Sequence, residues 1–395
     1  MIRIYIPLLL LIYFINSCKD SNRSYENLTV LVDNVQQEYV PDKRENVYDI
    51  NIEDKDGIPV LKGYTSVPQA KKELLQKIGS EAYIDSIVIL PDSSVGDKVY
   101  GVINVSVADL RTQGKYSAEM ATQLLLGTPV EVLQHNNWWR IKSAEGYVAW
   151  TTDYSFVPMT KSEFNNWINA DKIIFTDIYG FAYESADKDK MIVSDLVFGN
   201  MLKLEGETGR FYNVSYPDGR RGYVLKSQSQ PFDKWISSLT LTEKSILNKA
   251  VSLKGVPYTW GGTSTKMMDC SGFTKTVLLM HGIITLRDAS QQVNTGIPVD
   301  ISKGYENLRP GDLMFFGKRG HDGKKDRIRH VGFYMGNNEF IHASGYVRIS
   351  SMDSTKTNYD ETNTKEFIRA SRVIGAVGTK GIWKITENPL YKEQP

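Results

Sequence analysis

A chain of 395 residues, 41% hydrophobic and 24% charged, has an ordinary soluble composition and is too long for one typical domain, so roughly two to four domains are expected. Its 47 basic and 46 acidic side chains leave a net charge of +1, which excludes the strong basic field of a polyanion binder, and nucleic acid is not expected as a partner. The chain holds only two cysteines, Cys18 and Cys270.

At the N-terminus, Met1-Ile2-Arg3 is a short positive segment and residues 4–15 are apolar. That run is shorter than the about 20 residues a membrane-crossing helix needs and has signal-peptide length. Residues 1–18 therefore predict a signal peptide ending at Asn16-Ser17-Cys18. Ile15-Asn16-Ser17-Cys18 resembles a loose lipobox, which implies lipidation of Cys18, a membrane anchor and a place in the cell envelope, periplasmic or surface-facing. Residues 19–40, opening with Asp20, Ser21, Asn22 and Arg23, read as a polar, irregular tether. Residues 41–98 carry two extended runs (47–52 and 59–64), helical spacing at Ala70, Leu74, Leu75 and Ile78, and a third extended run at 84–90. This β-β-α-β pattern predicts a small α/β module with no catalytic constellation.

Residues 99–158 are short strands broken by turns, including Trp138-Trp139-Arg140-Ile141 and Gly146-Tyr147-Val148-Ala149-Trp150, and fit a small β-barrel. The pattern returns more weakly in 159–232, at Phe198-Gly199-Asn200-Met201, Phe211-Tyr212 and Gly222-Tyr223-Val224, an internal repeat of roughly 75 residues. Both copies resemble bacterial SH3 domains. Their aromatic side chains are expected in the barrel cores rather than on a ligand platform.

Residues 226–245 read as a linker, with Thr240-Leu241-Thr242-Glu243 as a helix cap, and 233–395 form the last domain. Asp269-Cys270-Ser271-Gly272-Phe273 follows a glycine-rich turn and opens an apolar helical run of Phe273, Val277, Leu278, Leu279 and Met280. A thiol at a helix start meets unpaired N–H groups and the positive end of the dipole, which favour the nucleophilic thiolate. The competing reading is a small buried hydrophobe. Asp269 is placed to cap the helix. Downstream, Val331, Phe333 and Met335 alternate with His330, Gly332 and Tyr334, turn residues occupy 336–339, and 340–344 is extended again. Pairing about position 336 or 337 sets His342 opposite His330 or Gly332, with both imidazoles on one face. One ring can then serve the thiol as base while the other orients it. His135, His281 and His321 read as solvated. Two histidines and one cysteine fall short of the four ligands of a structural zinc site, so no metal or cofactor is expected.

Pro257-Tyr258-Thr259-Trp260-Gly261-Gly262, the Cys270 segment, Arg309-Pro310-Gly311-Asp312 with its strand at 313–316, and the segments around His330 and His342 together resemble the NlpC/P60 family of cysteine peptidases. The resemblance implies a papain-like α+β catalytic domain, so the expected fold class is multidomain, with two SH3-like β-barrels and the α/β module ahead of it. It further implies Cys270 as nucleophile, His330 as base, His342 as its orienting group and Tyr258 beside the oxyanion. With the SH3-like domains included, the chain resembles the family's γ-D-glutamyl-L-diamino acid endopeptidases. These cut murein peptides of the form L-Ala-γ-D-Glu-diamino acid through a thioester acyl-enzyme and require a free N-terminal L-alanine. Asp288 and Glu119 are then the expected ammonium-binding carboxylates, Ser271 an expected substrate contact, and a monomer the expected state. The alternatives are a broader peptidoglycan endopeptidase and a non-catalytic envelope-binding SH3 protein.

Overall fold

The computed structural model describes residues 10–80 and 82–395, with side chains described from Tyr25 onward. The expected signal peptide and the lipidation site at Cys18 thus lie outside the described residues or side chains. The chain divides into two compact units, Met1–Ser94 and Val95–Pro395.

The first unit contains α1 (Leu10–Tyr39), β1 (Tyr48–Lys55), β2 (Ile58–Thr65), α2 (Pro68–Ile78) and β3 (Ile84–Ile89). β1 and β2 form an antiparallel hairpin, and α2 carries the chain back so that β3 lies parallel to β2. The apolar positions Ala70, Leu74 and Ile78 are buried, as their helical spacing predicts. The irregular tether expected at 19–40 is instead helical. Leu28, Val32 and Val35 recur every three or four residues, and with Val40 they are buried against Leu61, Leu74 and Ile87. A sparse apolar stripe among polar residues reads as irregular until a sheet is present to cover it.

The second unit opens with β4 (Tyr100–Ile103), β5 (Val107–Arg111), β6 (Met120–Leu125), β7 (Pro129–Asn136), β8 (Trp138–Ser143), β9 (Val148–Thr151) and β10 (Phe156–Met159). They form a seven-stranded antiparallel sheet in the order β10-β4-β7-β8-β9-β5-β6, here called the first barrel. Its Trp138, Trp139 and Tyr147 are buried. α3 (Lys161–Asn169) follows, with a reciprocal cap between Thr160 and Glu163. A second seven-stranded sheet comprises β11 (Lys172–Phe175), β12 (Tyr179–Tyr183), β13 (Ile192–Val197), β14 (Met201–Thr208), β15 (Phe211–Ser215), β16 (Arg221–Leu225) and β17 (Ser229–Pro231). The β7-β8-β9 meander of the first sheet recurs in it as β14-β15-β16. The domain boundary expected at 233 falls inside a helix, α4 (Phe232–Ser238). Its Trp235 is buried with its ring 6.3 Å from Phe198, so this stretch is packed structure rather than linker.

The last domain holds α5 (Glu243–Ser252), α6 (Cys270–Leu279), β18 (Ile283–Thr285), α7 (Ala289–Gln292), β19 (Ile297–Val299), β20 (Leu313–Lys318), β21 (Arg327–Gly336), β22 (Glu339–Ser344), β23 (Tyr346–Ser351), α8 (Glu361–Glu366), β24 (Phe367–Arg372) and β25 (Ile382–Lys384). Six strands make an antiparallel sheet in the order β19-β24-β20-β21-β22-β23. α6 lays Phe273, Val277 and Leu278 on it, against Phe315, Val331 and Phe333. The C-terminal residues, which lack a clear sequence pattern, return to the first barrel, where Asn388 Nδ2 donates to the Ala144 carbonyl at 2.7 Å.

Because Leu28 is 2% exposed in the first unit's core, Leu28→Ala is expected to cost about 2–5 kcal/mol in urea unfolding of that unit. A tether would lose nothing.

Candidate active site

Asp269 is extended (φ −89°, ψ −174°) and its side chain accepts the Gly272 N–H at 2.7 Å. This N-cap starts α6 at Cys270 and sets the sulfur on the first helical residue, as expected. Cys270 is 6% exposed. Burial pushes its thiol up to about 12 and the Asp269 carboxylate adds to the rise, while N–H groups of Val331 and Ser271 and the Arg287 guanidinium pull the other way. The helix start and the desolvation therefore oppose each other, and desolvation wins. The resting sulfur is a thiol, not the thiolate that its helical position alone suggests.

His330 lies on β21 and His342 on β22, joined by a tight turn in which Asn337 and Asn338 adopt left-handed backbone (φ 53° and 59°). Asparagine tolerates that conformation, which explains the pair's place in the turn. The register Phe333↔Ile341 and Tyr334↔Phe340 brings His342 beside Gly332. A Cβ at Gly332 would stand 2.9 Å from His342 Cβ and 2.8 Å from the Ile341 carbonyl. Only glycine leaves room for the His342 ring to lean toward His330.

The two imidazoles meet edge to face, with His330 Nε2 2.6 Å from His342 Nδ1. His342 Nε2 lies 2.9 Å from Ser350 Oγ on β23. One consistent set of protons runs through this chain: His330 Nε2–H donates to His342 Nδ1, and His342 Nε2–H donates to Ser350 Oγ. His330 Nδ1 is then left as an acceptor. Burial holds His330 well below its ordinary value, helped by His342 and Arg329. Burial also pushes His342 down to about 3, with Arg348 and Arg329 adding to the effect. Both rings are neutral at physiological pH.

Tyr258 is half-buried, and burial followed by the charges of Cys270 and Asp269 raises its phenol above the ordinary range, so the hydroxyl remains a donor beside the sulfur. Ser271 is 4% exposed; its hydroxyl donates to Asp269 Oδ1 at 3.3 Å and accepts from Arg287 Nη1 at 2.9 Å. Those bonds commit it to the interior of the site. Asp288 stands at the N-cap of α7 with its side chain 28% exposed, 3.9 Å from Arg287 Nη1. Glu119 is exposed, immediately before β6. β6 itself lies against the Cys270 loop: Gly261 has φ +80°, and a Cβ there would come within 2.6 Å of the Met120 carbonyl. Thr263 seals the same junction, its N–H donating to Gln123 Oε1 at 3.0 Å and its hydroxyl to the Gln123 carbonyl at 2.7 Å.

Ser350, Arg287 and Thr122 were not legible as site residues, because each acquires its role only through strand register or domain contact. The solvated reading of His281 is corrected: it is buried, with Nδ1 2.9 Å from the Val277 carbonyl and Nε2 3.1 Å from Ser245 Oγ, and it ties α6 to α5. His135 stacks on Trp139 at 3.9 Å, and His321 is exposed. A cavity of about 440 Å³ lined by Trp167, Lys172, Met201, Phe232 and Tyr391 includes none of the candidate residues.

A family model described as the NlpC/P60 family matches residues 255–369, and one described as the bacterial dipeptidyl-peptidase Sh3 domain matches residues 110–153. The murein DD-endopeptidase MepS/murein LD-carboxypeptidase of Escherichia coli K12 is 36% identical over 142 residues, covering 35% of this chain and 70% of that protein. The chain belongs to the NlpC/P60 family. A gamma-D-glutamyl-L-lysine dipeptidyl-peptidase of Bacillus cereus is 29% identical to this NlpC/P60 chain over 235 residues, 57% of this chain and 67% of that one. The crystal structure of an NlpC/P60 family protein from Bacillus cereus shares the fold, with a TM-score of 0.58 and 24% identity over 69% of this chain and 99% of that chain.

A buried thiol, and a neutral imidazole held by a second imidazole on the strand whose Val331 N–H reaches that thiol, are the groups that thiol-to-imidazole proton transfer requires. Ser350→Ala removes the acceptor for His342 Nε2–H and is expected to lower kcat about threefold to tenfold with KM little changed, the worth of one hydrogen bond. Steady-state kinetics on a murein peptide checks this. Because both folded-state values are depressed, the unfolded chain binds protons first as pH falls below 6.5, the ordinary histidine value. Stability is expected to fall there by up to about 1.4 kcal/mol per pH unit for each ring. Replacing both rings by glutamine should flatten the urea-unfolding profile from pH 6.5 downward, toward the value of about 3 at which His342 itself takes a proton.

Proposed function

We propose that the protein is a cell-wall cysteine peptidase that cuts the bond between γ-D-glutamate and a diamino acid in murein peptides bearing a free N-terminal L-alanine. The observation that carries the reading is the buried chain from His330 through His342 to Ser350, on the strand whose Val331 N–H reaches Cys270 at the start of α6. The match of residues 110–153 to a dipeptidyl-peptidase Sh3 domain and the likeness to a gamma-D-glutamyl-L-lysine dipeptidyl-peptidase support the choice of bond.

In the proposed reaction His330 Nδ1 takes the Cys270 proton as the sulfur attacks the γ-D-glutamyl carbonyl. Because the resting thiol is held at high pKa and the imidazole at low, transfer is coupled to attack rather than completed before it. Backbone N–H groups at the start of α6 and the Tyr258 hydroxyl receive the developing oxyanion. The intermediate collapses to a thioester as His330 returns the proton to the leaving amine. Water then attacks the thioester, gives its proton to His330, and L-Ala-γ-D-Glu leaves as the thiol is restored.

Asp288 and Glu119 are assigned to the substrate ammonium. A carboxylate committed to an ammonium loses its partner when the amine is acylated, at a cost of about 1–3 kcal/mol. The second seven-stranded sheet is assigned as a second SH3-like domain, Cys18 as the lipid attachment site, and the protein as a monomer in the cell envelope.

The test is incubation with L-Ala-γ-D-Glu-diamino acid and its N-acetyl derivative, with products identified by mass. Cleavage of the free peptide alone is expected, with Cys270→Ala inactive and Asp288→Asn at least about tenfold slower on the free peptide. Hydrolysis that survives Cys270→Ala would end the cysteine peptidase reading. Equal cleavage of both peptides would leave a broader endopeptidase, the activity class printed in the name of the Escherichia coli relative.

A further inference from the structure

Arg287 is only 1% exposed and stands among the largest fully buried side chains of the chain. A guanidinium is tolerated at that depth only when its N–H groups find partners. Its partners are particular. Nη2 donates to Asp269 Oδ2 at 2.6 Å and Nη1 to Asp269 Oδ1 at 3.2 Å; Nη1 also donates to Ser271 Oγ at 2.9 Å. These are the residues on either side of Cys270. Nε donates to Thr122 Oγ1 at 2.9 Å, on β6 of the first barrel. Asp269 in turn accepts the Gly272 N–H at 2.7 Å and the Gly261 N–H at 2.9 Å, so one carboxylate holds the helix start and the preceding glycine loop together.

We propose that Arg287 is a positioning residue that couples the first barrel to the nucleophile, holding Asp269 and Ser271 about Cys270 and cancelling the Asp269 charge beside the sulfur. The proposal rests on Cys270 being the nucleophile. Asp269 is needed to cap α6, yet its negative charge next to the sulfur opposes formation of a second one. Arg287 removes that conflict. Thr122 then fixes which way the guanidinium fork points, so the barrel contributes to the reactivity of a residue on another domain. The charged and titratable groups that act on the sulfur are Asp269 on its own helix start, Arg287 ahead of α7 and Tyr258 on the preceding loop; Asp288 lies 3.9 Å from the Arg287 guanidinium, and His330 precedes Val331, whose N–H reaches the sulfur.

The experiment measures the alkylation rate of Cys270 by iodoacetamide in the full chain from pH 6 to 11, read on the Cys270 peptide by mass spectrometry, beside kcat and KM on the murein tripeptide. In Arg287→Gln the uncompensated Asp269 is expected to slow alkylation at pH 8 at least about tenfold and to move its rise about one pH unit upward, with kcat falling in parallel and KM nearly unchanged. Adding Asp269→Asn to that variant should recover most of the lost alkylation. Thr122→Val keeps the ion pair and removes only the barrel's hold, and should slow both alkylation and kcat about threefold or more, the worth of one hydrogen bond. A purely structural arginine predicts the opposite sign: a loosened site exposes the thiol and speeds alkylation. Faster or unchanged alkylation in Arg287→Gln overturns the proposal; if that variant does not fold, unchanged values in Thr122→Val overturn it. Alkylation needs no substrate, so wild-type protein that alkylates normally yet leaves the tripeptide intact would end the proposed specificity and leave the role of Arg287 standing.

Discussion

The contact between His330 Nε2 and His342 Nδ1, 2.6 Å long and inside the protein, is the constraint around which the catalytic domain is arranged. Two rings can approach that closely only on adjacent strands in a register that offsets them by one diagonal step, and only if the position opposite His342 has no side chain. β21 and β22 supply the register and Gly332 supplies the space. β23 then brings Ser350 to the far nitrogen of His342. A polar chain this deep in the domain is tolerated because His330 Nε2 and both nitrogens of His342 have partners; left unpartnered, those atoms would each carry a desolvation penalty.

Burial is what gives this site its electrostatic character. It keeps the thiol protonated and both imidazoles neutral, against the tendency of a helix start to ionise its first cysteine. The local dipole acts over the first turn and is worth little beside the cost of an anion withdrawn from water. The sulfur and the two imidazoles therefore carry no charge at rest, and the standing ion pair beside them is Asp269 with Arg287. Asp269 and Arg287, the charged pair beside the sulfur, compensate each other.

The domains of the second unit meet through polar contacts of the same kind. Gln123 on β6 accepts and is enclosed by the Thr263 loop, Thr265 donates to the Ile178 carbonyl at 2.6 Å, and Asn200 Nδ2 donates to the Ser106 carbonyl at 2.8 Å. Each links segments more than fifty residues apart in the chain, and none has a signature of its own. The C-terminal residues behave likewise, settling on the first barrel through Asn388. A small domain with a complete core could be appended freely; here Gln123 of the first sheet and the Ile178 carbonyl of the second are tied to the last domain, and Asn200 and Ser106 tie the two sheets to each other.

What the amino-acid order alone determined is whatever depends on local periodicity or on adjacent residues. The α6 start at Cys270, the β21–β22 hairpin that carries both histidines, the α2 face of Ala70, Leu74 and Ile78, and the meander repeated in the two sheets all follow from spacing, turn chemistry and caps. Only the tertiary structure decided the rest. The stripe of Leu28, Val32 and Val35 is helical because a sheet covers it, Trp235 is packed because Phe198 lies beneath it, and the Cys270 sulfur is a thiol because the fold excludes water from it. Ser350, Thr122 and Arg287 gained their places in the site through register and domain contact. Burial and long-range hydrogen bonding join residues far apart in the chain, and no local pattern can encode the dielectric or the partner that the assembled fold provides.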